Sequence, residues 1–239
     1  YLELLKDERF INSVKVTLIY VVTSVPTKLI FALFVAYLLT QGRRGVTFYR
    51  SLYYVPSLIG GSIAVALVWK TIFSRKGLAN TILASLGLQK LSWLGDPKLS
   101  MGILVLMSAW QFGSSMIIFA AGLKEIPGSY YEAAEIDGAN KWQRFLRITL
   151  PCLSPIILYN LVMQTITAFM AFTQAFVITQ GGPNDATNFY ALYVYNHAFK
   201  WSNMGYASAM SWLMLVLISV ITLILFKSSK FWVFSEADQ

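Results

Sequence analysis

Residues 206–226 read YASAMSWLMLVLISVITLILF, an apolar run that carries no charged side chain. A helix needs about 20 mostly apolar residues to cross the hydrocarbon core of a bilayer. The run therefore predicts a membrane-spanning helix. Four further segments meet the same criterion, at about residues 11–39, 48–73, 99–123 and 152–179.

The composition of the whole chain agrees with a membrane protein. Of its 239 residues, 56% are hydrophobic and only 13% are charged, whereas soluble domains carry about 25% charged residues. This excludes an ordinary cytosolic enzyme and a disordered protein, and a single cysteine excludes a domain built on internal disulfides. Segments of alternating polarity, which are typical of a membrane β-barrel, do not occur. We predict an all-α, polytopic transmembrane helix bundle with five visible spans, forming one domain over residues 1–239.

The formal net charge of +8 does not predict nucleic-acid binding. The basic residues are scattered through connecting segments beside the apolar runs, where lipid headgroups can compensate them. They are divided almost evenly between the two ends of the predicted spans, so charge alone does not determine the orientation. Charged residues precede the first apolar run, which argues against a signal peptide and predicts that further sequence precedes Tyr1.

A polar stripe runs along the fourth apolar segment. Its members recur at spacings of four, three, four and three residues, which places them on one face of a helix: Asn160, Gln164, Thr167, Ala171 and Gln174. Unpaired amides are costly in hydrocarbon, and two long amides exceed what helix packing requires. The stripe therefore favours a wet cavity, although small polar residues also join helices.

Two shorter polar patches lie in the neighbouring spans. The third segment carries Trp110, Gln111 and Ser114, and the second, which is interrupted by Pro56 and the Gly60-Gly61 pair, carries Ser57, Gly60 and Gly61. For the second patch we favour a role in helix packing.

Other polar residues near the spans predict no chemistry. We expect Lys15 and Lys28 to extend their side chains to the membrane interface. His197 is the only histidine and lies in a loop, which predicts a packing or surface residue. A metal site needs about three or four ligands, and the sequence provides no His/Cys cluster.

The most informative connection is the segment at about residues 124–151, whose residues 129–151 read SYYEAAEIDGANKWQRFLRITLP. Ser129 and Glu132 have the spacing of a capping box, Gly138 is placed to stop the helix in the left-handed conformation, and Asn140 with Gln143 forms a second capping pair. The segment predicts two short helices joined at a sharp corner. A docking handle for another protein and an amphipathic helix resting on headgroups are both compatible with it.

This segment resembles the signature of the membrane subunits of binding-protein-dependent ABC importers. The pattern is Glu132-Ala133-Ala134, three residues, Gly138, nine residues and Ile148-x-Leu150-Pro151, and every fixed position matches. Further stretches are similar to the branch that imports oligosaccharides and, in one lineage, glycerol-phosphate: residues 131–139, Thr179-Gln-Gly-Gly-Pro183, Ala186-Thr187, Tyr195, Ala198-Phe199 and residues 205–209. The Gly-Gly-Pro loop is similar to the large permease of maltose transporters.

The resemblance implies a permease subunit in a bacterial cytoplasmic membrane, with one further span before Tyr1. Its partners would be a second homologous permease, two cytoplasmic ATPase subunits and an extracytoplasmic solute-binding protein. ATP and Mg²⁺ would be bound by the ATPases, because this chain has no G-x-x-x-x-G-K-[ST] phosphate-binding loop. The resemblance further implies that the chain has no cofactor or metal of its own and is not an enzyme.

The same resemblance implies two groups of site residues. The 124–151 segment would be cytoplasmic and would contact an ATPase through Glu132, Ala133, Ala134, Asp137, Gly138 and Ala139. The sugar path, which also rests on the helix-face argument, would include Trp110, Gln111, Ser114, Gln164, Thr167, Ala171 and Gln174. The 180–205 loop would face the binding protein, or it would form a packed cap over the bundle.

Two other classes of protein fit less well. An ion-coupled secondary transporter of small polar solutes would need an acidic residue inside a span, and none of the eleven acids lies well inside one. An intramembrane enzyme would need a nucleophile and base pair or a metal site.

Overall fold

The structure is a computed structural model, and it describes residues 1, 3–40 and 45–234. Within these ranges the chain is helical and contains no strand. In chain order the helices are α1 (Glu8–Thr40), α2 (Val46–Ile59), α3 (Ile63–Ile72), α4 (Leu78–Ser85), α5 (Pro97–Trp110), α6 (Gly113–Glu125), α7 (Gly128–Ile136), α8 (Lys141–Arg144), α9 (Leu150–Phe169), α10 (Tyr190–Tyr195) and α11 (Met204–Ser229). Short π-helical turns cover Phe145–Thr149, Ala175–Thr179 and Asn196–Lys200.

Among the described residues, three helices are long and apolar enough to cross a membrane: α1, the continuous helix Lys141–Phe169, and α11. Two bent pairs meet the same test, α2 with α3 at 98° and α5 with α6 at 44°, which makes five candidate spans if each pair counts as one. The predicted interruption of the second span is confirmed at Gly60-Gly61, just before which α2 ends, but it is wrong at Pro56, which lies inside α2. The bend in the third span was not predicted.

The fourth span differs from its prediction. Its helix ends at Phe169 and residues 170–172 are not helical before a short second piece begins, so the stripe does not lie on one continuous helix. Neither proline nor glycine marks this break. The phenyl ring of Phe172 packs on Phe176 and Tyr195, with ring centroids 5.1 and 4.9 Å apart, so the residues after the break are held by ring contacts that include one from α10.

Helix α1 forms the centre of the bundle and packs against α5, α6, α9 and α10. The core holds large, fully buried side chains from these helices, including Tyr20, Met107, Phe119 and Phe169. Helix α11 packs on α9 with one side, while much of its apolar surface is exposed, as expected for a helix that faces lipid.

Residues 180–203 fold over one end of the bundle, which we call the cap end; the 124–151 segment lies at the other, the loop end. The backbone N–H of Tyr190 donates to Thr17 Oγ1 at 2.8 Å, and Asn12 donates to the carbonyl of Asp185 at 3.1 Å. The packed-cap interpretation of this loop is therefore confirmed.

Candidate functional site

A polar cavity of about 210 Å³ lies between α1, the α2–α3 bend, α5 and the broken fourth span. Its lining includes the side chains of Lys28, Ser108, Gln111, Gln164, Thr167, Thr173 and Gln174, together with Ala171. It contains five of the seven residues expected for the sugar path. We call it the membrane cavity.

The fourth span contributes lining residues from both sides of its break. Gln164 and Thr167 come from the last turns of α9, whereas Ala171 and Gln174 follow after the break. All four nevertheless line the same cavity. Asn160 does not, because its side chain is buried and its amide donates to the carbonyl of Ile156 at 3.1 Å.

The bend in the third span positions Gln111. Its backbone carbonyl accepts from Ser57 Oγ at 3.0 Å, and its side-chain amide donates to the carbonyl of Gly60 at 3.1 Å. These bonds join the two bent spans, so the packing role favoured for Ser57 and Gly60 is confirmed. Gly61 instead lines the cavity.

Trp110 and Ser114 lie beside this junction and are not among the cavity-lining residues. The indole of Trp110 packs on Trp69, with ring centroids 5.9 Å apart. The backbone N–H of Ser114 donates to Ser57 Oγ at 3.1 Å. Gly113, between them, lies so close to α2 that a Cβ atom there would overlap the carbonyl oxygen of Tyr53.

Lys28 does not reach the membrane interface as expected. It lines the cavity with only 8% of its surface exposed. It lies more than three helical turns before the end of α1 at Thr40, and its four-carbon side chain cannot span that distance. Lys15, by contrast, is exposed.

The cavity amides are not used for internal packing. Neither the Gln164 nor the Gln174 side chain forms a hydrogen bond to another described residue, whereas Thr167 Oγ1 donates to the carbonyl of Met163 at 2.8 Å. An amide offers two donors and an acceptor with two lone pairs. These groups are therefore available to a polar ligand.

At the loop end, α7 has no buried residue. Glu132, Ala133, Asp137 and Gly138 are exposed, while Ala134 and Ala139 are half-buried. The helix stops as predicted at Gly138, which has a φ of +76°. The N–H of Ala139 donates to the carbonyl of Ala134, and the N–H of Gly138 donates to that of Glu135, the pair of bonds that closes a Schellman turn.

The two predicted capping pairs have opposite outcomes. Asn140 and Gln143 form the capping box, with reciprocal bonds of 2.8 and 2.9 Å. The box at Ser129 and Glu132 is wrong, because α7 begins two residues earlier than predicted, at Gly128, with Pro127 as its N-cap. The second helix is also longer than predicted, since Lys141–Phe169 is continuous.

Two exposed apolar residues of the loop were missed by the sequence analysis. Ile136 is 88% exposed and Trp142 is 67% exposed, on either side of the Gly138 corner. In the sequence, each of them is an apolar residue with a charged neighbour, and this pattern could have identified them. Within the segment, α7 is joined to the following helix by Tyr131, whose hydroxyl lies 3.0 Å from Thr149 Oγ1, and by an ion pair of 3.3 Å between Arg144 and Glu135.

The cap end contains a cluster of titratable residues around Asp7. Its carboxylate accepts from the hydroxyls of Tyr193 and Tyr206 at 2.7 and 2.6 Å. Burial raises the pKa of Asp7, but these bonds and two backbone N–H groups outweigh it, so the pKa lies below its ordinary value. His197 stacks on Tyr206 at 4.3 Å and packs against other rings, as predicted for a packing residue, and burial lowers its pKa.

A family model described as binding-protein-dependent transport system inner membrane component matches residues 5–231 of this chain. The probable ABC transporter permease protein YesP of Bacillus subtilis is 53% identical over 236 residues, which cover 98% of this chain and 76% of that protein. The trehalose/maltose transport system permease protein MalF of Thermococcus litoralis is 34% identical over 233 residues, covering 97% and 78%.

The fold is also similar to solved structures. A chain of a bacterial ABC transporter involved in the import of the acidic polysaccharide alginate superposes with a TM-score of 0.87 at 25% identity, covering 96% of this chain and 82% of that one. A bacterial alginate ABC transporter in complex with an alginate pentasaccharide-bound periplasmic protein gives a TM-score of 0.86, also at 25% identity, covering 95% and 81%.

Proposed function

This chain belongs to the family of binding-protein-dependent transport system inner membrane components, and from that premise we infer that it is a permease subunit of an ABC importer for sugars, most specifically for an oligosaccharide. It is a multi-pass protein of the cytoplasmic membrane. The observation that carries the sugar assignment is the membrane cavity, which lies between candidate membrane spans and is lined by amides that bond no other described residue. Polar groups placed in a membrane interior mark substrate pathways.

We propose that the membrane cavity is this subunit's share of the sugar path. Its volume of about 210 Å³ is below the roughly 300–1,000 Å³ of ordinary ligand sites, which suits a half-site completed by a second permease. Gln111, Gln164, Thr167, Ala171 and Gln174 would contact the sugar directly, and Trp110 and Ser114 would hold Gln111 in place through the bend.

We propose that the 124–151 segment couples transport to ATP. Its exposed helix α7 would enter a cleft of a separate cytoplasmic ATPase subunit, with Glu132, Ala133, Ala134, Asp137, Gly138 and Ala139 at the contact. Two such ATPases would bind ATP and Mg²⁺. An extracytoplasmic binding protein would deliver the sugar at the cap end, and ATP-driven closure of the ATPases would shift the bundle between two packings.

The names of similar proteins do not decide whether the sugar is charged. Maltose and trehalose are neutral sugars, whereas alginate is an acidic polysaccharide. Neutral and acidic sugars are therefore both named for proteins similar to this chain. The charge of its own substrate has to be inferred from the residues that line its cavity.

The coupling proposal is tested on the complete complex in liposomes by binding-protein-stimulated ATP hydrolysis. The variant Glu132→Lys with Gly138→Pro is expected to abolish the stimulation, while the two permeases still co-purify. Glu125→Lys is the matched control, because it makes the same charge change at an exposed residue outside the contact and is expected to leave the stimulation intact. Stimulation that persists in the double variant, or a permease pair that never binds an ATPase, contradicts the proposal.

The cavity proposal is tested by sugar uptake in the same liposomes. Gln164→Leu removes the amide at nearly constant volume and is expected to reduce uptake about tenfold, because a hydrogen bond to a substrate hydroxyl contributes about 1 kcal/mol and more when it is buried. ATPase binding should be unchanged. Uptake equal to that of the unmodified complex would remove Gln164 from the sugar path.

A further inference from the structure

We propose that the sugar carried by this importer is acidic, and that Lys28 binds a carboxylate of it inside the membrane cavity. The proposal rests on the assignment of the chain as a sugar permease and adds the charge of the substrate. It also names the residue that selects for that charge.

The first argument is that Lys28 is buried without a compensating charge. More than nine-tenths of its surface is shielded, and no acidic residue in the described ranges lines the cavity. The two ion pairs among the described residues lie outside the cavity. One joins Arg9 and Asp185 at the cap end, and the other joins Arg144 and Glu135 at the loop end. Burying an ammonium group without a partner is costly, so a lysine that only packed would be at a disadvantage against Met or Leu.

The second argument is the set of groups around the ammonium. The unpaired amides of Gln164 and Gln174, together with Gln111, line the same cavity. Amides can hydrogen-bond the hydroxyl groups that every sugar has, so binding a neutral sugar would not require a cation in the cavity. A single cation among several amides matches a ligand with many hydroxyls and one full charge, which is the chemistry of a uronate residue.

The third argument is the charge at the cap end, where the substrate enters. The connection between α3 and α5 carries Arg75, Lys76 and Lys90, the first turn of α5 adds Lys98, and the only acid among these residues is Asp96. That carboxylate is already used, because it accepts from the backbone N–H groups of Lys98 and Leu99 at 2.8 and 3.1 Å and caps α5. The excess positive charge draws anions toward the entrance.

The test measures binding of two probes to the complete complex of permeases and ATPases in detergent, without the binding protein. The probes are a trisaccharide of galacturonate and its carboxyl-reduced counterpart, which keeps every ring and linkage but has neutral hydroxymethyl groups. We expect the unmodified complex to prefer the acidic probe by at least about tenfold, the usual weight of a charge-assisted hydrogen bond. Lys28→Met should remove that preference by weakening binding of the acidic probe far more than binding of the neutral one.

Two further variants separate charge from structure. Lys28→Arg keeps the charge and should retain the preference, and Lys15→Met removes an exposed lysine of the same helix and should have no effect. Equal binding of both probes by the unmodified complex overturns the proposal, even if Lys28→Met fails to assemble, and so does an equal loss of both probes in Lys28→Met. A preference for a sugar phosphate over the uronate also overturns it. If the unmodified complex imports no sugar at all, the permease assignment itself fails.

Discussion

The 124–151 segment presents its site residues on and just after a helix with no buried residue, whereas the membrane cavity collects its residues from several spans. The first site is built from neighbours in sequence: the Gly138 turn and the Asn140 capping box are closed by bonds between residues of the same short stretch. The second depends on partners far apart in the sequence, such as Ser57 and Gln111. A surface that another protein contacts can be formed by one short stretch of sequence. A cavity inside a membrane instead requires contacts between helices that are far apart in the sequence.

The largest effect is expected at the junction that shapes the cavity. Gly113→Val adds atoms where a Cβ would overlap the carbonyl oxygen of Tyr53, so the two bent spans must separate. We expect a loss of about 3 kcal/mol in stability, the upper part of the range for overpacking, seen as a lower melting temperature and a loss of the assembled complex. Gly102→Ala is the control, because nothing lies within 4 Å of its Cβ position; equal melting temperatures for both variants would refute the close-packed junction.

The next effect separates docking from folding at the other site. Ile136→Asp changes a side chain that is 88% exposed, so the fold of the chain should be unaffected. If Ile136 is buried against an ATPase, the change should weaken ATPase binding by about tenfold or more, since burying such a side chain contributes about 1.5–3 kcal/mol. Co-sedimentation measures the binding. If the variant lowered the melting temperature of the permease instead, Ile136 would contribute to folding, and the separation of docking from folding at this site would be contradicted.

A smaller effect tests whether the loop is locally encoded. Asn140→Ala removes one half of the capping box and is expected to cost about 1 kcal/mol of local stability. Ser129→Ala should cost almost nothing, because Ser129 makes no capping bond. Hydrogen exchange of the amides in residues 128–144 distinguishes the two variants. Equal protection in both would show that the corner is held by its contacts with the bundle.

The smallest effect concerns the cap end and acid. Because the pKa of Asp7 is lowered in the folded protein, its bonds to Tyr193 and Tyr206 stabilise the cap fully above the ordinary pKa near 4. That contribution is lost as the pH falls through the lowered value. The melting temperature should therefore drop between pH 6 and pH 3 by more in the unmodified chain than in Asp7→Asn. A drop of equal size in both would exclude Asp7 as its cause.

The parts of the molecule that follow from short-range rules were predictable. Uninterrupted apolar runs indicated the spans, the Gly60-Gly61 pair indicated the interruption of the second one, and the spacing of Asn140 and Gln143 indicated a capping box that the structure contains. The stop at Gly138 belongs to the same class, since a glycine at that place adopts a positive φ at little cost.

The parts that escaped prediction depend on long-range packing. The break after Phe169 and the bend after Trp110 have no proline or glycine at the break itself, and rings and hydrogen bonds from other helices hold them. The position of Lys28 escaped for the same reason, because its spacing within α1 does not reveal which neighbours will surround it. A local rule also failed at Ser129, because Pro127 is the N-cap and α7 begins two residues earlier than the capping box predicted.

The unbroken helix from Lys141 to Phe169 has a mechanical consequence. One end of it carries the Gly138 corner and the other carries Gln164 and Thr167. The stretch from Lys141 to Gln164 is continuous through the π-helical turn at Phe145–Thr149 and is about 35 Å long. Over that length a tilt of only about 5° moves the far end by about 3 Å, roughly the length of one hydrogen bond. A tilt of this size at the Gly138 corner would therefore be enough to change the contacts of Gln164 and Thr167 in the proposed sugar path.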